Sequence, residues 1–444
     1  MLLEFTVENF RSFGKEAKLD LMASNGIKDN PDKGTSLMGT GVGAGKVLNS
    51  VAIYGANSSG KSNLLRAVGT MRFIVLNSVK LNEHDTLPYE PFLLSTRDQH
   101  PTRFEVVYYE TDTRATFTYG FEYTEDSIQR EWLVAKWPRR GIKQLFSREP
   151  GLPVSVDDTN FEEGIRARDT LILNKNRLFL SLVGQAGGEI SNGVINWFQN
   201  SIRVISGIED TYSKYTRKVV FNNPEAKENV QAFLGKMKLG FESFVPQKID
   251  FESIGYPPGL PKELIAQLRN DPFIQISSIH NVYNEAGEVV RTESLDLDDQ
   301  ESSGTNKIFS LSVPLLEALT SGKTLLIDEL DSQMHPLISW MLVEMFNKVE
   351  DNSTCAQLIF TTHDTNLLSS ELFRRDQIWF TEKDTTESTS LYPLIRAHEK
   401  SDSLNHAPRN DSNYQRNYIQ GKYGAIPYLT CERPDLKAEL EQNH

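Results

Sequence analysis

Cysteine is scarce in this chain of 444 residues, where only Cys355 and Cys431 occur. Two thiols so far apart in sequence form neither a closely spaced pair of zinc ligands nor a disulfide framework. Long apolar runs are missing too, because no uninterrupted stretch approaches the about 18 residues of a membrane span. Residues 1–10 also lack the basic and apolar segments of a signal peptide. We therefore expect a cytoplasmic protein without membrane association.

Lysine and arginine, 47 in all, are fewer than the 60 aspartates and glutamates, so the formal net charge is −13 at pH 7. This argues against a protein that coats nucleic acid non-specifically, because such binding needs many cations to neutralise phosphates. A local basic groove remains open, although solvated surface charge is the simpler explanation. The two candidate clusters are Arg139, Arg140 and Lys143, and Arg166, Arg168, Lys175 and Arg177.

The most informative motif is Gly-Ala-Asn-Ser-Ser-Gly-Lys-Ser at residues 55–62, a complete G-x-x-x-x-G-K-[ST] phosphate loop. It follows an apolar run and precedes apolar residues at helical spacing, so its context is strand, loop and helix. Backbone N–H groups of such a loop surround nucleotide phosphates, while Lys61 neutralises the β and γ oxygens and the Ser62 hydroxyl ligates Mg²⁺. We expect ATP or GTP to bind at Gly55, Ala56, Asn57, Ser58, Ser59, Gly60, Lys61, Ser62 and Asn63.

Two later apolar strands end in residues that suit nucleotide hydrolysis. Residues 324–329 read Thr-Leu-Leu-Ile-Asp-Glu, and Asp328 fits a carboxylate facing Mg²⁺, with Glu329 as the general base for the attacking water. Residues 358–363 end in His363, which we expect to sense the γ-phosphate. Purely structural acids and a structural histidine are the alternatives.

A second anion site is predicted where residues 301–307, Glu-Ser-Ser-Gly-Thr-Asn-Lys, open an apolar helix. Ser302, Ser303 and Gly304 would offer free N–H groups at the positive end of the helix dipole. Because the chain already has a phosphate loop, such a site would be useful for capping the nucleotide of another copy. A simple helix N-cap is the alternative.

The order of these motifs predicts an α/β fold with a split nucleotide-binding domain. Alternating aromatic segments between residues 87 and 148 predict antiparallel strands, and residues 170–183 and 228–239 predict helices. The expected divisions are 1–78 for the first half of the domain, 79–270 for an inserted lobe that is β-rich and then helical, 271–400 for the second half, and 401–444 for a polar tail that adds little core.

Together, these motifs resemble the ABC-type ATPase heads of SMC and RecF proteins, and most of all the OLD-like and abortive-infection defence ATPases of the RloA and AbiL type. The matching segments are residues 9–13 near the start, 60–63 in the phosphate loop, 301–305 as the signature, 326–329 as Walker B, 331–336 as the D-loop and 362–364 with the switch histidine. The resemblance implies a P-loop NTPase head that binds ATP and Mg²⁺, with Arg11 directed at the phosphates.

In such heads, the phosphate loop of one subunit faces the signature of its partner, so the resemblance also implies a homodimer or larger oligomer that sandwiches ATP. Residues 418–427 are similar to the ending of defence ATPases encoded beside a separate effector. The signature departs from the transporter form Leu-Ser-Gly-Gly-Gln, and neither Gln99 nor Gln129 can be assigned to a Q-loop. The about 45 residues after the last nucleotide-domain segment are too few for a Toprim core, so we expect no nuclease on this chain.

Three functions are compatible with these motifs. The first is an ATPase sensor and scaffold in antiphage defence that controls a separate effector, either a nuclease or a toxin. The alternative is a RecF-like DNA-repair ATPase that clamps DNA, which predicts salt-sensitive DNA binding and which the acidic net charge opposes. A transporter ATPase fits poorly because of the inserted lobe and the signature. DNA, RNA and protein all remain open as ligands of the insertion.

Overall fold

The computed structural model describes residues 1–27, 33–38, 45–95, 100–206, 211–249, 273–397 and 413–427. In chain order its strands are β1 (Leu2–Glu8), β2 (Ala17–Asp20), β3 (Thr35–Leu37), β4 (Lys46–Leu48), β5 (Ser50–Gly55), β6 (Thr102–Glu110), β7 (Ala115–Tyr123), β8 (Ile128–Trp137), β9 (Gly141–Arg148), β10 (Ser155–Val156), β11 (Ile202–Ile205), β12 (Ser243–Lys248), β13 (Ile274–Tyr283), β14 (Val289–Asp296), β15 (Thr324–Ile327), β16 (Gln357–Thr361), β17 (Ile378–Lys383) and β18 (Thr389–Pro393).

The α-helices alternate with strands mainly in the second half of the chain. They are α1 (Lys61–Asn77), α2 (Glu162–Thr170), α3 (Phe179–Gln185), α4 (Glu189–Asn196), α5 (Thr211–Asn222), α6 (Pro224–Lys236), α7 (Leu297–Gln300), α8 (Ser303–Ser321), α9 (Pro336–Asn347) and α10 (Tyr414–Ile419). No helix in the described ranges is long and apolar enough to cross a membrane.

A six-stranded sheet in the order β11-β15-β16-β5-β17-β18 carries the nucleotide motifs. Its first five strands are parallel, and β18 is antiparallel to β17. Every residue of β5, β15 and β16 is buried, which explains their continuous apolar sequence, since a parallel sheet is covered on both faces. Parallel strands bring their carboxyl ends to one edge, so the phosphate loop, Asp328 and His363 meet there. The predicted α/β fold is confirmed.

A seven-stranded antiparallel sheet, in the order β10-β9-β8-β7-β6-β1-β2, forms the second large layer. Buried and partly exposed residues alternate along β6 and β7, as expected for a sheet with one face on the core. One hydrophobic cluster joins this inner face to α1 and to the helices α3 and α4. The antiparallel strands predicted between residues 87 and 148 are confirmed.

The domain division differs from the predicted one. Strands β6–β10 lie in the predicted insertion of residues 79–270, yet they extend the sheet that β1 begins. Strand β11, also from that segment, pairs in parallel with the Walker B strand β15. Strand pairing over such distances leaves no local periodicity in the sequence, so the antiparallel sheet continues across the predicted boundary at 78. The predicted boundary at 270 lies outside the described residues.

Residues 171–178 are a second difference, because they separate α2 from α3 where one helix over 170–183 was predicted. The side chain of buried Asn176 donates to the carbonyl oxygens of Asn82 at 2.6 Å and Asp85 at 2.8 Å. These bonds hold the segment against the chain that follows α1, in place of helical hydrogen bonds. The other predicted helices are present, and α8 continues through Pro314.

The C-terminal segment is a third difference, because residues 413–427 contribute to the core. Tyr414, Tyr418 and Tyr423 are buried, and the Tyr418 ring stacks on Phe380 of β17 with 5.4 Å between centroids. The prediction that the tail adds little core is wrong for this segment, since Tyr414 and Tyr418 form only one helical repeat in a polar context. Residues 401–412 and 428–444 of the predicted tail lie outside the described residues.

Gln357, at the start of β16, joins the two large sheets through its buried side-chain amide. Its Nε2 donates to Leu2 O at 2.9 Å and Leu48 O at 3.2 Å, and its Oε1 accepts from Leu2 N at 2.6 Å. Because Leu2 opens β1, the antiparallel sheet is fixed directly to the nucleotide sheet. Such buried groups cost about 1–3 kcal/mol each when a partner is removed.

Candidate nucleotide site

The phosphate loop lies between β5 and α1, as the motif predicts. Gly60 precedes α1 with φ of 106°, a conformation that favours glycine. A Cβ atom there would lie 2.3 Å from Thr389 Oγ1 and 2.8 Å from Ser12 Oγ. These two side chains come from β18 and from the turn after β1, and Thr389 Oγ1 also donates to Ser59 O at 2.9 Å. The loop is therefore held from its outer side by residues distant in sequence.

Gly60→Ala tests this close contact. We expect it to strain the loop by about 1–3 kcal/mol and to weaken ATP binding about tenfold, which isothermal titration calorimetry would measure. Gly69→Ala is the matched control on α1, because a Cβ there meets nothing within 4 Å and alanine favours the helix. Equal ATP affinity of the two variants would show that the Thr389 and Ser12 contacts do not shape the loop.

Lys61 is 6 % exposed and already lies over the loop, where its Nζ donates to Gly55 O at 2.8 Å and Ala56 O at 3.1 Å. Burial lowers the pKa of Lys61 to about 8, against the opposing effect of the carboxylates of Asp328 and Glu329. A buried ammonium group whose hydrogen bonds go only to carbonyl oxygens is stabilised when an anion binds beside it.

Ser62 and Asp328 form the predicted metal-binding pair. Ser62 Oγ donates to Asp328 Oδ1 at 3.0 Å, and Thr361 Oγ1 of β16 donates to the same oxygen at 2.6 Å. Hydroxyl and carboxylate oxygens are the donors that Mg²⁺ takes, usually few from the protein and the rest from phosphates and water. The pair therefore fits Mg²⁺, which would neutralise charge on the bound phosphates.

Glu329 is exposed in the turn after β15 and has a left-handed backbone, with φ of 50°. Its N–H donates to Thr361 Oγ1 at 2.7 Å, so Thr361 positions both acids of Walker B. Backbone strain in a non-glycine residue persists where the surroundings impose it, and such sites are often functional. The carboxylate is thus available to a water molecule beside the phosphate loop.

His363 follows β16, and its backbone N–H donates to Asp331 Oδ2 of the predicted D-loop at 3.3 Å. Desolvation and the nearby Lys61 ammonium lower the pKa of His363, against the three carboxylates Asp331, Glu329 and Asp328. The imidazole is therefore neutral at pH 7 and can donate one hydrogen bond to a phosphate oxygen.

One open cleft of about 570 Å³ brings together most of the predicted residues. It is lined by Ser12, Asn57, Ser58, Ser59, Gly60, Lys61, Ser62, Asn63, Glu329, His363 and Lys383. The predicted Gly55 and Ala56 contribute the carbonyl oxygens that hold Lys61. The sequence analysis missed Ser12 and Lys383. Ser12 lies in the matched segment 9–13, but Lys383 is the last residue of an ordinary strand, β17, and belongs to no motif.

Arg11 is not among the residues that line this cleft. Its N–H donates to Glu90 O at 2.7 Å, and its guanidinium group forms an ion pair with the Glu90 carboxylate. The next residue, Ser12, faces the loop instead, where its Oγ accepts from Asn63 Nδ2 at 2.9 Å. A contact of Arg11 with phosphates would require this ion pair to open, and it stays a prediction.

The signature residues open α8, where Ser302 Oγ accepts from Thr305 N at 3.1 Å as the N-cap. Ser302 and Ser303 are exposed. A Cβ on Gly304 would lie 2.5 Å from Gln333 O, so the helix end packs tightly on the D-loop. Ser303 lines another cleft, of about 530 Å³, with Lys307 and Ser332. Within one chain, the signature and the phosphate loop thus line different clefts.

Lys307 ties the signature helix to the Walker B turn. Its Nζ donates to Glu329 O at 2.6 Å, Ser332 O at 3.0 Å and Ser332 Oγ at 2.6 Å. A displacement of α8 would therefore act directly on the backbone of Glu329. The two clefts are separate but mechanically connected.

Comparison with known proteins agrees with this geometry. The AAA_21 family, described as "AAA domain, putative AbiEii toxin, Type IV TA system", matches residues 50–369. No curated protein matches the chain. Among solved structures, the SMC head domain from Thermotoga maritima is 14 % identical, with a TM-score of 0.37, and the match covers 88 % of this chain and 98 % of that chain.

Two further solved structures have similar coverage. The SMC head bound to the C-terminal winged-helix domain of ScpA is 11 % identical, with a TM-score of 0.41, 88 % coverage of this chain and 97 % of that chain. RecF in the RecFOR pathway, with ATPrS, is 16 % identical, with a TM-score of 0.35 and coverages of 88 % and 98 %. At these identities, the likeness concerns the fold alone.

The family match shows an AAA domain over residues 50–369, which agrees with the predicted P-loop NTPase head. That match spans the phosphate loop, the signature, Walker B and the switch histidine, which are the motifs that the six-stranded sheet and α8 position. The chain belongs to the AAA_21 family of AAA domains.

Proposed function

We propose that this protein is an ATP-hydrolysing sensor and scaffold in an antiphage, abortive-infection defence system. In this proposal, two copies sandwich ATP between their heads, and the ATP-bound state controls a separate effector, either a nuclease or a toxin. The family description, which names an AbiEii toxin and a toxin–antitoxin system, supports the defence role. The residues of the cleft support the hydrolysis.

One observation carries the paired mechanism. Each copy presents an open phosphate-loop cleft with Glu329 and His363, and, apart from it, an exposed signature turn at Ser302 and Ser303. The free N–H groups of this turn, at the positive end of a helix of 19 residues, favour an anion. The phosphates of the nucleotide bound to a second copy would provide that anion. Ser303 would then close the open side of the phosphate-loop cleft of that copy.

The residues of the cleft divide the work of hydrolysis. Lys61 and the loop N–H groups bind the β and γ oxygens, and Ser62 with Asp328 would hold Mg²⁺, which balances phosphate charge. Glu329 accepts a proton from the attacking water, and neutral His363 donates a hydrogen bond to the γ-phosphate. Loss of the γ-phosphate removes a ligand shared by both copies, so hydrolysis would separate them.

The solution mass of Glu329→Gln with ATP and Mg²⁺, measured by light scattering, tests the pairing. Because the glutamine cannot accept the proton, ATP persists, and we expect a rise from monomer to dimer or larger. Adding Ser303→Arg should keep the chain monomeric, because a long cation blocks the signature turn. Ser321→Arg, at the exposed opposite end of α8, is the matched control and should still assemble.

Other results would contradict specific parts of the proposal. An ATP-bound Glu329→Gln that stays monomeric would remove the sandwich, and assembly that Ser303→Arg leaves intact would remove the signature from the interface. A DNA-repair clamp of RecF type, the alternative function, predicts hydrolysis that DNA stimulates without a second protein. The ATP-assembled variant is also the state in which to search for the effector.

A further inference from the structure

Five cations gather at one end of the seven-stranded sheet, on a surface that has no part in the nucleotide site. The turn between β6 and β7, residues 111–114, and the turn between β8 and β9, residues 138–140, lie at the same end because Thr116 pairs with Lys136. We call this surface the basic edge, and it consists of Arg114, Lys136, Arg139, Arg140 and Lys143, all of which are exposed.

The cations of the basic edge are clustered, and among the described residues their charges are not taken up by carboxylate partners. In the part of the chain that the structure describes, none of the five forms an ion pair. Elsewhere on the surface, cations do pair, as in Arg103–Glu16, Arg130–Glu149, Arg166–Glu162, Arg291–Glu293 and Lys348–Glu344. The chain has 60 acidic residues against 47 lysines and arginines, so the basic edge does not result from a shortage of acids.

Three acids lie near the basic edge and balance part of its charge. Glu110 ends β6 opposite Ala115, and Asp112 belongs to the turn between β6 and β7. The pKa of Asp157 is lowered by its hydrogen bonds with Asn160 and also by Lys143. Five cations against these three acids leave a local excess of positive charge on a protein of net charge −13. Such an excess is stable only in water or against a polyanion.

An aromatic ring supports the same surface. Trp137 is half-buried, and the Arg140 guanidinium lies 6.0 Å from its ring centroid. The Trp137 ring also meets Phe117 edge to face, with 6.3 Å between centroids. The paired strands β8 and β9 end with Trp137 opposite Gly141, so the ring and four of the five cations belong to one hairpin. Aromatic rings beside arginine are typical of surfaces on which unpaired bases stack.

We propose that the basic edge binds the phosphate backbone of a nucleic acid, with Trp137 as a stacking surface for an unpaired base. The cations span β7, β8 and β9, or about 10 Å at the usual strand spacing, a length that faces about three phosphates of one strand at about 3.4 Å each. An anionic membrane fits less well, because insertion needs several exposed apolar side chains and the hairpin tip offers Ile142, which is 68 % exposed.

The test is fluorescence anisotropy of one labelled sequence as single-stranded DNA, single-stranded RNA and duplex DNA, without nucleotide, between about 50 and 200 mM salt. The variant is the full chain with Arg139→Gln, Arg140→Gln and Lys143→Gln. We expect at least a tenfold loss of affinity and a decrease of about 2 to 3 in the slope of log affinity against log salt, because each lost phosphate contact removes about 0.7 to 0.9.

A control variant with Lys18→Gln, Arg291→Gln and Lys348→Gln changes the net charge equally at exposed positions that are ion-paired and lie outside both candidate basic clusters. It should bind nearly as the original chain does. Equal losses in both variants would mean that only net charge matters and would overturn the proposal. It is also overturned if the unmodified chain fails to bind all three probes, or binds only vesicles that contain phosphatidylserine.

The relative affinities for the three probes show which nucleic acid is preferred. ATP affinity, measured on the same variants, should equal that of the original chain, because the basic edge contains no residue of the phosphate-loop cleft. This readout confirms folding. Nucleic-acid binding without ATP does not depend on head pairing, so a failure of head pairing and a failure of the basic edge would give different results.

Discussion

Lys61→Ala should abolish ATP binding at concentrations that saturate the original chain. The Nζ of Lys61 is buried over the loop and is held by two carbonyl oxygens, which phosphate oxygens would replace. Hydrogen bonds between charged groups contribute about 1.5–3 kcal/mol each, so the loss of two corresponds to at least about a 100-fold weaker affinity. Isothermal titration calorimetry with ATP and Mg²⁺ measures it directly.

Lys80→Ala is the control, because Lys80 is exposed beyond the end of α1 and its Nζ donates to Asn77. It should bind ATP as the original chain does. If Lys61→Ala bound ATP with the original affinity, the cleft around residues 55–62 would not be the nucleotide site. Both variants keep the buried apolar face of α1, so their melting temperatures without nucleotide should be similar.

The pH dependence of ATP binding gives an independent readout of the same lysine. Without nucleotide, the pKa of Lys61 is lowered to about 8 by burial, and bound phosphates raise it by favouring the charged form. The affinity for ATP is therefore highest below pH 8. Above pH 8, each further pH unit weakens ATP binding by up to about tenfold. Calorimetry in buffers of different ionisation enthalpy should detect proton uptake above pH 8.

Glu329→Gln should bind ATP normally and hydrolyse it about 10²–10⁴-fold more slowly, the usual contribution of a positioned general base. The glutamine keeps the size of the side chain, and the hydrogen bond from the backbone N–H to Thr361 Oγ1 is unaffected. Only the capacity to accept a proton is lost. Phosphate release in a single turnover, together with the dissociation constant for ATP, separates the chemical step from binding.

Glu344→Gln serves as the matched control, because Glu344 is partly exposed on α9 and pairs with Lys348. It makes the same chemical change away from the cleft and should hydrolyse ATP at the original rate. Turnover of Glu329→Gln at that rate would exclude Glu329 as the base. A large increase in its dissociation constant for ATP would instead give Glu329 a role in binding.

The parts of the site that the sequence revealed are those in which chemistry fixes a short local pattern. The phosphate loop at 55–62 and the acids Asp328 and Glu329 belong to this group, since a few adjacent residues perform the whole task. The contacts that support them join residues distant in sequence. Thr389 forms hydrogen bonds with Ser12, 377 residues away in sequence, and with Ser59, 330 residues away. A threonine on an edge strand has no local signature, so only the fold reveals its role.

Strand partners were hidden for the same reason. The period of two in β6 predicts a strand with one buried face, but nothing in that period says that β6 pairs with β1. Likewise, β11 is a short apolar run whose neighbour β15 lies more than a hundred residues later. The aromatic residues of 413–427 are buried because they pack on Phe380 of β17. This contact is non-local, and the polar composition of the segment does not predict it.

The position of β5 in its sheet has a consequence for synthesis of the chain. Both of its neighbours, β16 and β17, are translated roughly 300 residues after it, which at about 5–20 residues per second is a delay of about 15–60 s. During that time, six residues that end fully buried have no neighbouring strand, and unpaired apolar strands aggregate. β5 therefore stays an unpaired apolar segment until β16 and β17 have left the ribosome, and a product truncated before residue 378 lacks β17 and with it Lys383 of the nucleotide cleft.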